Sequence, residues 1–112
     1  MSVYPRVLVV GMFHRGKDAM VLADGLQIGT VLRLEREPTN DYDPNAIKVF
    51  FEDTFIGYIE RGQAAWISPE LDEKKTATAE VVGKEPYGKS GNYTAPLLRI
   101  TVGEPDAEHE AT

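Results

Sequence analysis

Residues 11–18, GMFHRGKD, place two glycines and a lysine at the spacing of a phosphate-binding loop. In that motif, G-x-x-x-x-G-K-[ST], backbone amides at a helix N-terminus hold the phosphates and the final hydroxyl binds Mg²⁺. Here Asp18 stands at the hydroxyl position, and residues 19–29 show no sustained amphipathic pattern. We therefore predict a strand end at Gly11 followed by a loop, and no nucleotide site.

Residues 41–52, DYDPNAIKVFFE, resemble half of a helix-loop-helix calcium loop. Acidic or amide side chains fall at its first, third, fifth and twelfth positions: Asp41, Asp43, Asn45 and Glu52. However, Ala46 replaces the glycine that the loop needs, Lys48 occupies an apolar position, and the second half has the pattern of a strand. The same strand would separate Glu52 from the two aspartates in a hydrolytic metal site. We predict no metal, no cofactor and no enzymatic activity.

Strand patterns dominate the rest of the chain, with apolar and β-branched residues grouped or alternating over short segments. The predicted strands are residues 6–13, 30–36, 46–51, 55–59, 76–82 and 97–102. A tight turn at residues 52–54 predicts a hairpin over residues 46–59, and residues 83–96 are predicted to form a loop. Residues 63–67 favour a short helix, and Ser68 with Pro69 predicts an N-cap for another. This pattern indicates a small, mostly β barrel or sandwich.

Composition indicates one domain and an acidic tail. The 112 residues include no cysteine and have a net charge of −6, with 12 basic and 18 acidic residues. Four of the acidic residues lie in residues 104–112, which contain no lysine or arginine. We predict a single domain over residues 1–103 and a disordered tail over residues 104–112. Without a signal peptide or an apolar span of membrane length, the expected location is the cytoplasm, bacterial or that of the host if the chain is phage-encoded.

Residues 34–49, LEREPTNDYDPNAIKV, followed by IGYI at residues 56–59, resemble the signature of the HIRAN domain family, REP-x-N-x-YD-x-NAI-x-V and then I-G-[HY]-[IL]. Residues 10–14, VGMFH, fit the first strand of that family, and the resemblance covers residues 6–102. It implies a mainly β, small α+β fold: a compact, OB-like β-barrel of about six strands with one or two short helices. HIRAN domains occur fused to DNA-dependent ATPases that remodel stalled replication forks, and alone in bacteria and phages. The resemblance therefore implies a stand-alone, non-catalytic module for single-stranded DNA and its free 3′-hydroxyl ends, which acts in replication or repair with a helicase, nuclease or ATPase in trans.

The resemblance also implies roles for residues of the loop before the third strand. Asp43 would accept a hydrogen bond from the 3′-hydroxyl, Tyr42 would contact a base, and Asn40 would be a polar partner. Tyr58 occupies the histidine-or-tyrosine position, and Arg61 a basic position suited to phosphate.

Two further groups complete the predicted site. Phe13 and His14 form a candidate wall of the DNA pocket, and Arg15 and Lys17 would extend the phosphate path. Tyr93 matches a stacking aromatic in the late loop. Aromatic faces for unpaired bases and a few cations for phosphates are what a short single-strand site requires.

Several of these residues have structural alternatives. Asp43 and Asn45 are typical turn formers, Tyr42 and Tyr58 fit half-buried rings of a barrel wall, and Arg61 fits a solvated helix start. Trp66 is predicted to pack in the core.

Another class of function also fits the composition. An acidic β-module with a charged tail fits a protein-binding regulator, including a phage-encoded inhibitor that presents carboxylates to a DNA-processing enzyme. That alternative predicts that removal of residues 104–112 abolishes activity, whereas the DNA-end hypothesis predicts unchanged or tighter oligonucleotide binding.

Overall fold

A computed structural model describes residues 1–12, 16–87 and 93–105. Six strands, each antiparallel to its neighbours, close into a barrel in the order β1-β4-β3-β2-β5-β6. The strands are β1 (Ser2–Val10), β2 (Val31–Arg36), β3 (Ile47–Phe51), β4 (Thr54–Ile59), β5 (Lys75–Tyr87) and β6 (Tyr93–Pro105). Two helices lie between them, α1 (Lys17–Gly25) and α2 (Arg61–Asp72). The predicted mainly β barrel of about six strands with one or two short helices is confirmed.

The interior of the barrel is filled by aliphatic side chains from every strand. Alternation places every second residue inside, as in β3, where Ile47 and Val49 are fully buried while Lys48 and Phe50 point outward. The remaining large side chains of the core are aliphatic apart from Met12: Val7, Val9, Met12, Leu26, Leu32, Ile56, Ile59, Ile67, Val81, Leu98, Ile100 and Val102.

The β3–β4 hairpin was predicted correctly, but β4 contains an irregularity that the sequence did not reveal. Its pairing with β3 skips Ile56 between Phe55 and Gly57, so Ile56 and Gly57 both face inward while Phe55 and Tyr58 share the outer face. A Cβ atom on Gly57 would lie 2.5 Å from the carbonyl oxygen of Val10 in β1. Glycine is therefore required where β1 and β4 approach each other.

One helix, α2, occupies the region after residue 60 where one or two short helices were predicted. Glu60 caps it, because its carboxylate accepts hydrogen bonds from the backbone amides of residues 62 and 63. The predicted cap at Ser68 is wrong, since Ser68 is buried within the helix and donates to Asn45 Oδ1 over 3.2 Å. Pro69 likewise lies inside the helix rather than at its first position.

The prediction that Trp66 belongs to the core is also wrong. Its side chain is 76% exposed, whereas Ala64 and Ile67 of the same helix are fully buried. The helical period sets this outcome, because residues 64, 67 and 68 form the face toward the barrel and residue 66 projects to the opposite side.

Other boundaries also differ from the prediction. Helix α1 was not predicted at all, β1 starts at Ser2 and ends at Val10, and most of residues 83–96 lie in β5 and β6 rather than in a loop. Strand β6 extends through Pro105, residues 106–112 lie outside the described residues, and the tail stays a prediction. Among the described helices, none has the length and apolar character needed to cross a bilayer.

Candidate nucleic-acid interface

A cavity of about 220 Å³ opens between the loop that joins β2 to β3, strand β4 and the first turn of α2. Five of the residues that line it are residues predicted to contact DNA, and the sixth is Ala46 from the end of the same loop: Asn40, Tyr42, Asp43, Tyr58, Arg61 and Ala46. The fold thus gathers side chains that are up to 21 positions apart in the sequence.

The loop takes its shape from Asn40 and Asp43. The side-chain oxygen of Asn40 accepts from the backbone amides of Tyr42 at 2.8 Å and Asp43 at 2.9 Å. Asp43 Oδ1 in turn accepts from the amide of Asn45 at 2.9 Å. These are the local bonds by which Asx side chains stabilise turns. The turn-forming alternative is therefore correct for Asp43, while its second oxygen is not used in the turn.

That second oxygen of Asp43 points toward the cation of the site. Asp43 Oδ2 lies 3.9 Å from Arg61 Nε, a long ion-pair distance, and the side chain of Asp43 is only 16% exposed. The side chain of Arg61, by contrast, is 78% exposed at the start of α2. The site therefore combines a recessed carboxylate with a solvated guanidinium, which retains donors for an anion.

Tyr42 and Tyr58 present their rings differently. Tyr42 is 89% exposed at the cavity mouth, so the barrel-wall alternative is wrong for this residue. Tyr58 is half-buried on β4, and its hydroxyl donates to Glu37 Oε1 over 2.8 Å. One ring is thus solvated at the mouth and the other is fixed in the wall.

Glu37, which the sequence reasoning did not single out, links these groups. Its Oε1 accepts from Asn40 Nδ2 at 2.6 Å as well as from Tyr58, and its Oε2 lies 3.0 Å from Lys48 Nζ. The hydrogen bond from Asn40 is the largest of the effects that lower the pKa of Glu37 from 4.5 to about 2. The hydrogen bond to Glu37 likewise raises the pKa of Lys48. Glu37 is therefore ionised at neutral pH and braces the cavity wall.

Arg36 links the loop between β2 and β3 to α2 through hydrogen bonds and an ion pair. Its guanidinium donates to the carbonyl oxygens of Ala46 at 2.8 Å and Pro44 at 3.0 Å, and it pairs with Asp72 at 2.9 Å. The sequence could have indicated that Arg36, Glu37 and Lys48 support the site, because all three lie within residues 34–49, the segment with the family resemblance. In the structure each of the three has a charged partner: Arg36 pairs with Asp72, and Glu37 pairs with Lys48.

The remaining predicted positions have no described geometry. Phe13, His14 and Arg15 lie outside the described residues, and so do the side chains of Lys17 and Tyr93.

The metal alternatives gain no support from the structure. No group of three or more acidic or histidine side chains that could hold a metal ion occurs within residues 1–12, 16–87 and 93–105. Glu52 sits at the tip of the β3–β4 hairpin, at the far end of a five-residue strand from Asp43.

The phosphate-loop motif lies in an unsuitable context. Although α1 begins at Lys17, Asp18 occupies its first turn and adds negative charge where a phosphate would bind. Strand β1 is antiparallel to both of its neighbours, unlike the strands of the parallel sheets that hold such loops.

Comparisons with known proteins point to one family. The profile of the HIRAN domain matches residues 5–95. Curated relatives include the helicase-like transcription factor of Mus musculus, which is 41% identical over 75 residues, and that of Oryctolagus cuniculus, which is 38% identical over 68 residues. These alignments cover 66% and 60% of this chain but only 7% and 6% of the relatives' own lengths.

Two solved structures share the fold. The crystal structure of the HIRAN domain of human HLTF aligns with a TM-score of 0.69 over 98% of this chain and 82% of its own, at 22% identity. A protein from Lactobacillus plantarum aligns with a TM-score of 0.66 over 88% of this chain and 93% of its own, at 26% identity.

Proposed function

The chain belongs to the HIRAN domain family, and we propose that its cavity binds the free 3′-hydroxyl end of single-stranded DNA. The observation behind this proposal is the convergence of Tyr42, Asp43, Tyr58 and Arg61 on one open cavity. The family is one of DNA-binding modules, so a nucleic acid is the expected ligand and a binding role is favoured over a catalytic one.

Asp43 supplies the chemistry that separates a hydroxyl end from other DNA. A carboxylate only accepts hydrogen bonds, so it can bind a terminal hydroxyl, whereas it repels a terminal phosphate. Asp43 Oδ1 is occupied by the Asn45 amide, whereas Oδ2 faces the Arg61 guanidinium at the long distance of 3.9 Å from its Nε atom. The bonded Oδ1 holds the side chain in place, and Oδ2 is positioned as the acceptor.

Tyr42 and Arg61 supply the contacts to the rest of the terminal nucleotide. The exposed ring of Tyr42 can stack on a base, and the exposed guanidinium of Arg61 can pair with the phosphate on its 5′ side. Stacking contributes about 1–3 kcal/mol per base. A short site of this kind does not require a basic surface, which is consistent with the net charge of −6.

We further propose that the module serves a DNA-processing partner in replication or repair. The curated relatives are helicase-like transcription factors, and this chain spans 7% or less of their length. A module that holds a 3′ end would position that end for a helicase, nuclease or ATPase.

Fluorescence anisotropy with a labelled oligothymidine of about ten nucleotides, within the site size of an OB-like barrel, tests the proposal at low salt. The matched ligands differ only at the terminus: a 3′-hydroxyl, a 3′-phosphate and a circular strand without an end. We expect the 3′-hydroxyl ligand to bind about tenfold or more tightly than either control, because a hydrogen bond to a charged group contributes about 1.5–3 kcal/mol. Equal affinities, or no binding of any ligand, would overturn end recognition.

The protein-binding alternative is tested by the same assay. Removal of residues 106–112, which leaves strand β6 complete, should leave oligonucleotide binding unchanged or make it tighter, because a negative segment repels the phosphates. Weaker DNA binding by the shortened chain would contradict this proposal and favour a direct role for the acidic segment.

A further inference from the structure

Three aromatic rings form a continuous cluster on the outer face of β3 and β4, which we call the hairpin aromatic face (Phe50, Phe55 and Tyr58). The ring centroids of Phe50 and Phe55 are 5.4 Å apart, and those of Phe55 and Tyr58 are 5.2 Å apart at an interplanar angle of 85°. Two cations accompany the rings. The guanidinium carbon of Arg33 lies 4.2 Å from the Phe50 centroid, and Lys48 Nζ lies 5.3 Å from the Phe55 centroid.

Strand register explains why these side chains lie together. Lys48 is opposite Tyr58, and Phe50 is opposite both Phe55 on β4 and Arg33 on β2. Because the pairing skips Ile56, Phe55 and Tyr58 reach the same face despite being three positions apart. The result is two rows about 6.6 Å apart, the distance of two residues along a strand.

The hairpin aromatic face is continuous with the cavity because Tyr58 belongs to both. Tyr58 is in the row nearer the cavity, and Phe50 and Phe55 form the row beyond it. The two rows therefore offer positions for successive bases, because single strands are bound by aromatic side chains on which successive bases stack.

We propose that the hairpin aromatic face binds the nucleotides on the 5′ side of the terminal one. The base of the second nucleotide from the 3′ end lies at Tyr58, and the base of the third stacks on Phe55 and Phe50. Lys48 and Arg33 lie beside the phosphates of these nucleotides. This inference rests on the proposed function, since the cavity holds the 3′ end and thereby sets the start of the path.

The charges of the face determine how it binds. Lys48 pairs with Glu37 at 3.0 Å and Arg33 with Glu35 at 2.8 Å, so these four charged groups form two neutral pairs. The contribution of this surface therefore comes from stacking rather than from neutralised phosphates. Affinity should rise with oligonucleotide length, while the added nucleotides should increase the salt dependence only slightly.

A length series on the full chain tests the inference, with 3′-hydroxyl oligothymidines of two and about six nucleotides. We expect the longer ligand to bind about fivefold or more tightly, the lower limit for one stacked base. The double variant Phe50→Leu with Phe55→Leu should lose this gain and bind the dinucleotide as the unmodified chain does. Trp66→Leu, which removes an exposed ring from α2, is the matched control and should retain the gain.

A second measurement requires no substitution. 2-Aminopurine fluorescence is quenched when the base stacks, so the probe placed third from the 3′ end should be quenched when the oligonucleotide binds the unmodified chain. Equal affinity for short and long ligands, or no quenching of the probe, would overturn the inference. If the dinucleotide still discriminates 3′-hydroxyl from 3′-phosphate, the proposed end recognition survives that result. A length gain without end discrimination would refute end recognition and leave the hairpin aromatic face intact.

Discussion

Substitution of Asp43 by asparagine distinguishes the roles of the two carboxylate oxygens of this side chain. Asp43 Oδ1 accepts from the Asn45 amide at 2.9 Å, and an asparagine oxygen can retain that bond and the turn. Asp43 Oδ2, 3.9 Å from Arg61, would become an amide nitrogen. The variant therefore keeps the loop and removes the acceptor proposed for the 3′-hydroxyl.

The expected magnitude follows from the lost bond. A hydrogen bond to a charged group contributes about 1.5–3 kcal/mol, which is a factor of about 10–150 in affinity. A 3′-phosphate ligand should show the opposite change, since the carboxylate that repels it is absent. The ratio of the two dissociation constants should therefore fall toward one.

Asp41→Asn is the control for net charge, because Asp41 is exposed in the same loop and is not among the residues that line the cavity. Anisotropy titrations of both ligands against both variants give the ratios, and urea denaturation verifies that each variant is folded. An unchanged ratio in a folded Asp43→Asn variant, or an equal change in Asp41→Asn, would refute the assignment of Asp43 as the acceptor.

Two further predictions concern the frame of the site. The pKa of Glu37 is lowered from 4.5 to about 2, so its bonds stabilise the fold fully above pH 4.5 and are lost as the pH falls toward 2. Urea titrations of Glu37→Gln should therefore show a smaller decrease in unfolding free energy over that pH range. An unchanged pH dependence would contradict the stabilising role of ionised Glu37. Gly57→Ala should lower the unfolding free energy by about 1–3 kcal/mol, because its Cβ would meet the Val10 carbonyl oxygen at 2.5 Å. Gly25→Ala is the control, because a Cβ atom there would meet nothing within 4 Å. Equal stability of the two variants would show that β1 shifts to accommodate the added methyl group and would contradict the prediction.

The strand pattern was the predictable part of this fold. Alternation and apolar runs located all six strands, and the residues of the β3–β4 hairpin were identified closely. Helix α1 was missed because its buried residues Ala19 and Ala23 are small, while Met20 and Leu22 are only partly buried, which gives a weak amphipathic signal. Tertiary contacts hold it in place, including hydrogen bonds from Lys84 and Thr94 to Asp24 near its end.

The loop residues of the site could be predicted from the sequence, but the hydrogen bonds through which Glu37 stabilises the cavity wall could not. The resemblance located Asn40, Tyr42 and Asp43 within one turn, and the structure places them at one cavity. The role of Glu37 depends on Tyr58, 21 positions away, reaching it across the sheet. Such a bond depends on strand register, which no local sequence pattern specifies.

A net charge of −6 is compatible with DNA binding when recognition is short-ranged. Two acidic groups of the cavity have a cation beside them, since Glu37 pairs with Lys48 and Asp43 faces Arg61. The remaining negative charge repels long DNA over distances comparable to the Debye length, about 10 Å at 0.1 M salt. Stacking and the hydrogen bond to a terminal hydroxyl act at contact distance and are not weakened in this way. An acidic module with this cavity would therefore select DNA ends over long duplexes. Only a protruding end enters the cavity, while most of the phosphates of that DNA remain at a distance from the negative surface of the protein.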